Sequence, residues 1–338
     1  MATPSYPGVL HQYAPRLVAF EFISPNQTTP KPNSLLFVGG LTDGLGTVPY
    51  VAEIAKALEP TDWSLFSLVL SSSYLGWGIG SLDQDVEEIA QCVEFVRAHK
   101  ARTTSGIAST PKVVVMGHST GSQDVLHYLY SANPLPQRSP DQEVGLDLKH
   151  LTRPPLDGAI MQAPMSDREA VQHLGQTSAE PNEFRGAYDQ LVNFARLQEP
   201  TEILPLKLTG KVGFPGDTPL NARRFLSLTS PDSPANPALD DLFSSDLTDQ
   251  RLAETFGVVR ERGLLGAKLM ALYSGSDEYA APWVDKEALM KRWEKATNTG
   301  GEEKWDENSA VVKGASHNVK ADGQAELIER VLRYLGTV

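Results

Sequence analysis

Cysteine is nearly absent from this 338-residue chain, in which Cys92 is the single example. One cysteine excludes a disulfide within the chain and any metal site built from several cysteines. Long apolar segments are also missing, since no run of 18 apolar residues occurs that could cross a bilayer as a helix. Residues 1–16 show no basic start followed by an apolar stretch. We therefore expect neither a secretory signal nor a membrane span, and a cytoplasmic location.

Basic residues are few in comparison with acidic ones. The chain has 30 Lys and Arg against 42 Asp and Glu, which gives a formal net charge of -12. Because nucleic acids and anionic membranes bind basic surfaces, we expect neither of them as a partner. There is no phosphate-binding G-x-x-x-x-G-K-[ST] motif, and no His, Asp and Glu spacing is typical of a metal site. The sequence thus predicts no cofactor and no metal ion.

The most informative stretch is 111–125, PKVVVMGHSTGSQDV. Its apolar, β-branched start is typical of a buried strand, and a helix-like segment follows. Between them Gly117, Ser119 and Gly121 form G-x-S-x-G, the tight turn that exposes a nucleophilic serine above a sheet. Glycine is required on either side because a side chain there would collide with neighbouring backbone. We therefore predict that Ser119 is a nucleophile and that the partner is a small-molecule ester.

Predicted strands and helices alternate on both sides of this turn. Such alternation indicates a mostly parallel sheet with helices on both faces, with an early strand at 17–23 placed antiparallel at its margin. The alternation stops after a Pro-rich insertion at 133–155 and one further strand, and the region that follows is too long for a structureless loop. We predict an α/β-hydrolase fold in which 1–165 and 256–338 form the core and 166–255 an inserted cap.

The base that would activate the serine is chosen by its place in the chain. A serine hydroxyl is a weak nucleophile until a base accepts its proton and a carboxylate orients that base. In this fold the order is serine, acid, histidine, with the later two following strands. Of the seven histidines, His317 follows the last predicted strand, whereas His118 lies within the serine turn and must point away from Ser119. His317 is therefore the predicted base.

The acid is chosen by the same rule. A predicted strand at 267–273 is followed by two carboxylates, Asp277 and Glu278. Asp277 comes first and has the shorter reach, so it is the predicted acid. Glu278 remains an alternative, as does Asp167, because some α/β-hydrolases take the acid from the preceding strand.

Two backbone donors must stabilise the negative oxygen that forms during attack on an ester. One is the N–H of Thr120, directly after the nucleophile. The other is predicted to be the N–H of Leu41, because the two glycines before it permit a close approach. Tyr74 and Trp77, in the glycine- and aromatic-rich loop 71–80, are predicted to shape the substrate pocket together with the cap.

Five segments of the sequence carry a resemblance to a known family. The chain resembles a mainly fungal family of α/β-hydrolases long classed as a domain of unknown function. The family-specific segment contains Asp240, Asp241 and Asp246, to which the resemblance assigns no role. In chain order the matching segments are FVGGLTDGL (37–45), GHSTGSQD (117–124), RFLSLTSPDSP and DDLFSSDL (224–247), YSGSDEYAAP (273–282) and KGASHN (313–318).

The resemblance has consequences for function. The best-understood members of the family are intracellular esterases that open fusarinine-type hydroxamate siderophores so that iron is recovered. The resemblance implies Ser119, Asp277 and His317 as the triad, and iron would enter with the substrate. The expected function is therefore cytoplasmic hydrolysis of siderophore esters through an acyl-enzyme. The alternatives are a carboxylesterase, lipase or thioesterase for other small acyl esters, or a non-catalytic receptor on the same scaffold.

Overall fold

A computed structural model of the protein describes residues 5–104, 110–136 and 151–338. Most of the Pro-rich insertion predicted at 133–155 lies outside the described residues. None of the helices in the described ranges combines the length and the apolar character that a membrane crossing needs.

Within the described ranges eight strands form one sheet in the order β1-β2-β4-β3-β5-β6-β7-β8. The strand pairs β1–β2 and β2–β4 are antiparallel, and all other neighbours are parallel. The serine turn follows β5, at the centre of the parallel part. The strands are β1 Gly8–Ala14, β2 Leu17–Phe22, β3 Asn33–Val38, β4 Trp63–Val69, β5 Val113–His118, β6 Gly158–Gln162, β7 Leu269–Ser274 and β8 Ala310–Val312.

Helices cover both faces of this sheet and fill the region between β6 and β7. Strands β3 to β6 are almost fully buried, because helices pack on each side of them. The helices are α1 Pro49–Ala57, α2 Leu82–Thr103, α3 Thr120–Tyr130, α4 Asp167–Thr177, α5 Pro181–Leu197, α6 Leu206–Thr209, α7 Ala222–Thr229, α8 Asp249–Thr255, α9 Val259–Arg262, α10 Lys286–Thr297 and α11 Gln324–Thr337.

Two apolar clusters form where helices pack on the two faces of the sheet. On one face, α2, α3, α8 and α10 pack against Val113, Val115 and their neighbours. On the other, α1 and α11 pack against Val114 and Met116. Successive residues of β5 therefore point to opposite faces, as the pleat of a strand requires. The predicted fold class, a mostly parallel sheet with helices on both faces, is confirmed.

The segment between β6 and β7 has an apolar cluster of its own. Phe184, Leu191 and Phe225, from α5 and α7, pack there with Trp77 of the 71–80 loop. The later part of the segment behaves differently, because 242–256 contributes to the cluster on the main sheet. The helices of the proposed cap are thus joined to the body of the molecule by a segment that belongs to the body's core.

Candidate active site

Ser119 lies in a strained turn between β5 and α3. Its φ of 55° and ψ of -121° lie outside the regions that L-residues ordinarily adopt. A Cβ at Gly117 would lie 1.9 Å from the Gly121 carbonyl oxygen, and one at Gly121 would lie 2.6 Å from that of Val38. Only glycine fits at either position, so the G-x-S-x-G pattern is explained by the backbone contacts of the turn.

The loop after β3 lies directly against the serine. A Cβ at Gly40 would lie 2.6 Å from Ser119 Cβ and 3.2 Å from its Oγ. The N–H of Gly40 donates to Asp43 Oδ2 at 2.9 Å, which closes the loop into a tight turn. Within the described residues, the N–H groups of Leu41 and Thr120 have no acceptor. Leu41 directly follows Gly40 and Thr120 directly follows Ser119, so both predicted oxyanion donors belong to the two segments that meet at the serine.

The contact between Gly40 and Ser119 predicts a large effect for Gly40→Ala. The added methyl group must push the loop away from the serine and with it the Leu41 N–H, so we expect kcat to fall about 10²- to 10³-fold. Gly186→Ala is the matched control, because nothing lies within 4 Å of its Cβ position. Steady-state kinetics of both variants measure the effect. Wild-type kcat in Gly40→Ala would show that the loop does not contact Ser119 in solution.

His317 is held by two carboxylates with different tasks. Its ring Nδ1 is 2.8 Å from Asp277 Oδ2, and its backbone N–H donates to Glu278 Oε2 at 2.8 Å. The other oxygen of Asp277 accepts from the N–H of Tyr279 at 3.0 Å. Asp277 therefore contacts the imidazole ring, which is the contact predicted for the acid. The alternative acid, Glu278, instead accepts a hydrogen bond from the backbone N–H of His317.

The other alternative acid, Asp167, is occupied elsewhere. Its Oδ2 accepts a hydrogen bond of 2.7 Å from Gln123 Nε2, on α3. Burial raises the pKa of Asp167 to about 6, so this carboxyl is still mostly ionised at pH 7. In the described part of the chain its side chain makes no hydrogen bond to the ring of His317.

Ser119 and His317 lie on neighbouring turns at one edge of the sheet. The ring of His317 lies 4.9 Å, centroid to centroid, from that of His118, the residue before Ser119. Among the described residues Ser119 Oγ and His317 make no hydrogen bond to each other. In enzymes without substrate this bond is commonly long and tightens when the substrate binds.

Tyr74 and Trp77 occupy different surroundings. Tyr74 is about half exposed, and its hydroxyl accepts a hydrogen bond of 2.9 Å from the N–H of Leu45. Trp77 is buried in the apolar cluster that it forms with residues of α5 and α7. Together with Leu41 and Thr120, the predicted oxyanion donors, it lines a cavity of about 20 Å³. Tyr74 thus braces the loop that follows β3, and Trp77 supports it from the cap side.

Two buried carboxyl groups also line that cavity and were not found in the sequence. Asp85 and Asp124 come from α2 and α3, and one oxygen of each has no hydrogen-bond partner within the described residues. Burial raises the pKa of Asp85 to about 7 and lifts the pKa of Asp124 well above its usual range. Burial thus disfavours the charged forms of both groups, which limits negative charge beside the predicted oxyanion donors. In the sequence each is a single carboxyl within a predicted helix, where an acidic residue is usually exposed to solvent.

Asp240, Asp241 and Asp246 pair with arginines of two helices, α7 and α4, in the proposed cap. Asp240 pairs with Arg224 of α7, both being almost fully buried, and its backbone carbonyl accepts from Gln123 of α3 at 2.9 Å. Asp241 and Asp246 both pair with Arg168 of α4, Asp241 at 3.1 Å. Asp240 therefore connects α7 to α3, the helix that follows Ser119, whereas Asp241 and Asp246 hold α4.

We expect Asp240→Asn to destabilise the protein strongly. Removal of this charge leaves the Arg224 guanidinium buried without its ion-pair partner, which costs about 3 kcal/mol of unfolding free energy. Asp246→Asn is the control, because Asp246 is about half exposed and such pairs contribute at most about 1 kcal/mol. Denaturant unfolding measures both. Equal losses in the two variants would contradict the anchoring role of Asp240.

One group of potential metal ligands, which the sequence spacing did not reveal, is formed by His11, Glu21 and His99. Their ligand atoms lie within 4.8 Å of one another. The carboxylate already has two partners, since Glu21 Oε2 is 3.0 Å from His11 Nε2 and Oε1 accepts from Lys100 Nζ at 2.6 Å. The buried ammonium of Lys100 balances the negative charge of Glu21. We therefore interpret this group as an ion-pair network between the sheet edge and α2.

Comparison with known families extends this description. A family model described as a protein of unknown function (DUF1749) matches residues 1–336. The chain belongs to this family. One curated relative is fusarinine C esterase sidJ of Aspergillus fumigatus, which is 51% identical over 98% of this chain and 96% of the relative. Esterase AN6793 of Emericella nidulans is 46% identical over 98% of this chain and 93% of the relative.

Solved structures lead to the same fold. Siderophore hydrolase EstB of Aspergillus fumigatus is 50% identical, covers 98% of both chains and superposes with a TM-score of 0.85. A soluble variant of monoglyceride lipase from Saccharomyces cerevisiae has a TM-score of 0.55 at 10% identity, with 99% of this chain and 96% of the lipase covered. The second likeness shows the α/β-hydrolase fold alone. The predicted family resemblance is confirmed.

Proposed function

We propose that this chain is a cytoplasmic serine esterase that hydrolyses ester bonds of hydroxamate siderophores. The observation that carries the proposal is the 2.8 Å contact between His317 Nδ1 and Asp277 Oδ2, in a loop packed against the Ser119 turn. The substrate class is taken from the two relatives named as a fusarinine C esterase and a siderophore hydrolase, each half identical to this chain. Iron enters as cargo of the substrate.

The proposed reaction uses the triad in two steps. Ser119 Oγ attacks the ester carbonyl while His317 Nε2 takes its proton, and Asp277 orients and stabilises the imidazolium that forms. The N–H groups of Leu41 and Thr120 stabilise the oxyanion. His317 then donates the proton to the leaving alcohol, which leaves an acyl-enzyme on Ser119. Water, activated by His317, attacks the acyl-enzyme and releases the acid.

The proposed cap, 166–255, places the bulk of the substrate. Its helices lie between β6 and β7 and meet the core beside α3 through Gln123, Asp240 and Arg224. Trp77 joins the cap cluster to the loop that supplies the Leu41 donor. We infer that a substrate held by the cap lies close to the Leu41 and Thr120 N–H groups. The cap and the loop after β3 would then both contribute to substrate selection.

The test is hydrolysis of defined siderophore esters by the purified protein. We expect iron-loaded or iron-free fusarinine esters to yield the free hydroxy acid monomer, detected by mass spectrometry, and Ser119→Ala to yield none. Simple acyl esters of nitrophenol serve as the comparison substrate. Turnover of the acyl esters with no siderophore monomer would replace the substrate class while keeping the esterase, and no turnover of either would contradict the proposal.

A further inference from the structure

His118, the residue before the nucleophile, has surroundings that the proposed mechanism does not use. Its ring is buried at 1% exposure and packs against two aromatic rings, those of Tyr50 at 5.8 Å and His317 at 4.9 Å between centroids. A polar ring buried in this way requires a hydrogen-bond partner at each nitrogen. Both partners are present, and they come from the two sides of the proposed site.

The first partner determines which nitrogen carries the proton. His118 Nδ1 contacts Gln162 Oε1, at the end of β6. The same oxygen accepts from the Tyr50 hydroxyl at 2.8 Å, and the amide nitrogen of Gln162 donates to Ser274 Oγ at 3.0 Å. Gln162 therefore presents an acceptor to His118, and a neutral imidazole places its proton on Nδ1.

The second partner connects His118 to the loop of the proposed base. With the proton on Nδ1, His118 Nε2 is an acceptor, and the Asn318 side-chain atom placed 3.2 Å from it is the oxygen Oδ1. Amide nitrogen and oxygen are distinguished by their partners, so we infer that the Asn318 amide is turned by 180° and presents its NH₂ group to this nitrogen. Asn318 directly follows His317. One chain of hydrogen bonds thus runs from β6 through His118 to the loop of His317.

The charge of His118 matters because the two imidazoles are in contact. The groups that face it are His317, Tyr50, Asp277 and Asp43, whose Oδ2 is 3.9 Å from Nε2. Burial, followed by the influence of His317, lowers the pKa of His118 to about 4. A neutral His118 leaves His317 free to accept a proton, whereas a cation there would oppose it.

We propose that His118 is a positioning residue for the proposed base. Its neutral ring connects the 317–318 loop to the strand that carries Ser119, and it supports the His317 ring within reach of the serine. This inference rests on the proposed function, because it assigns His317 the role of base. It predicts that breaking the connection lowers kcat while substrate binding is retained.

The experiment compares His118→Phe and Asn318→Ala, singly and together. The phenylalanine keeps a flat ring of similar size but forms no hydrogen bond, and Asn318→Ala breaks the same connection from the partly exposed side. We expect each to lower kcat by about 10- to 100-fold with KM changed less than about threefold. The double variant should lose no more than the worse single variant, because both remove one interaction.

The matched control is His127→Phe, which replaces another buried histidine. His127 Nε2 is 2.7 Å from Asp83, away from the proposed base. We expect its melting temperature to fall while kcat changes less than threefold. A kcat loss in His127→Phe equal to that in His118→Phe would assign the effect to general loosening of the core and overturn the proposal.

Two further outcomes separate this inference from the function on which it rests. If Ser119→Ala abolishes turnover while folded His118→Phe and Asn318→Ala keep wild-type kcat, the positioning role is wrong and the esterase stands. If Ser119→Ala turns over substrate at the wild-type rate, the proposed function fails first. Should His118→Phe not fold, Asn318→Ala alone decides, because its wild-type kcat would equally overturn the connection.

Discussion

Ser119→Ala is expected to lower kcat by a factor on the order of 10⁵ to 10⁶, since the loss of one triad member removes nearly all of its joint effect. The residual rate would come from the oxyanion donors and substrate binding. Unfolding free energy should change by less than about 1 kcal/mol, because only one small hydroxyl is removed. Steady-state kinetics on the siderophore ester and denaturant unfolding measure the two quantities.

Ser122→Ala is the matched control for this variant. Ser122 lies in the first turn of α3, and its hydroxyl donates to the backbone carbonyls of Gly117 and Gln162 at 3.1 and 2.9 Å. It therefore supports the turn without facing the substrate, and we expect its kcat to stay within about tenfold of wild type. If Ser119→Ala lowers kcat no more than Ser122→Ala does, Ser119 is not the nucleophile.

Asp277→Asn and Glu278→Gln are expected to differ by about three orders of magnitude. The amide of Asp277→Asn keeps the shape of the side chain but neither stabilises an imidazolium nor fixes the tautomer, so kcat should fall about 10⁴-fold. Glu278→Gln retains an oxygen that accepts from the His317 N–H, and its kcat should fall less than about tenfold. Side-by-side kcat values at the pH optimum make the comparison.

The same pair of variants decides between the acids left open by the sequence. If Glu278→Gln carries the larger loss, the backbone contact of Glu278 matters more than the ring contact of Asp277, and the assignment is reversed. Asp167→Asn completes the set. Because Asp167 is bonded to Gln123, we expect a change within tenfold, and a loss near 10⁴-fold would move the acid to the preceding strand.

The fold was predictable where the sequence pattern was dictated by burial on both faces. Val113 to Met116 is apolar without interruption because β5 is covered on each side, and the glycines after it are explained by contacts under 3 Å. The strand Gly8–Ala14 was missed for the converse reason. It lies at the sheet edge with four of its seven residues exposed, so burial imposes on it neither a continuous apolar run nor a regular alternation.

The contacts of His317 followed from chain order, because parallel strands end at one edge of the sheet. Contacts between residues far apart in sequence were harder to predict. His118 and Asn318 are separated by 200 positions, and Asp240 pairs with Arg224 on α7, a helix whose sequence shows no unusual pattern. Spacing along the chain carries no signal for such pairs, which only the folded arrangement of turns brings together.

The most direct measurement is the site of covalent labelling by a fluorophosphonate, which reacts with a serine only when a neighbouring base activates it. Intact mass followed by peptide mapping should find one adduct per chain, on the hydroxyl at position 119, and the adduct should form far more slowly in His317→Ala. An unlabelled folded protein, or an adduct on another serine, would contradict the account.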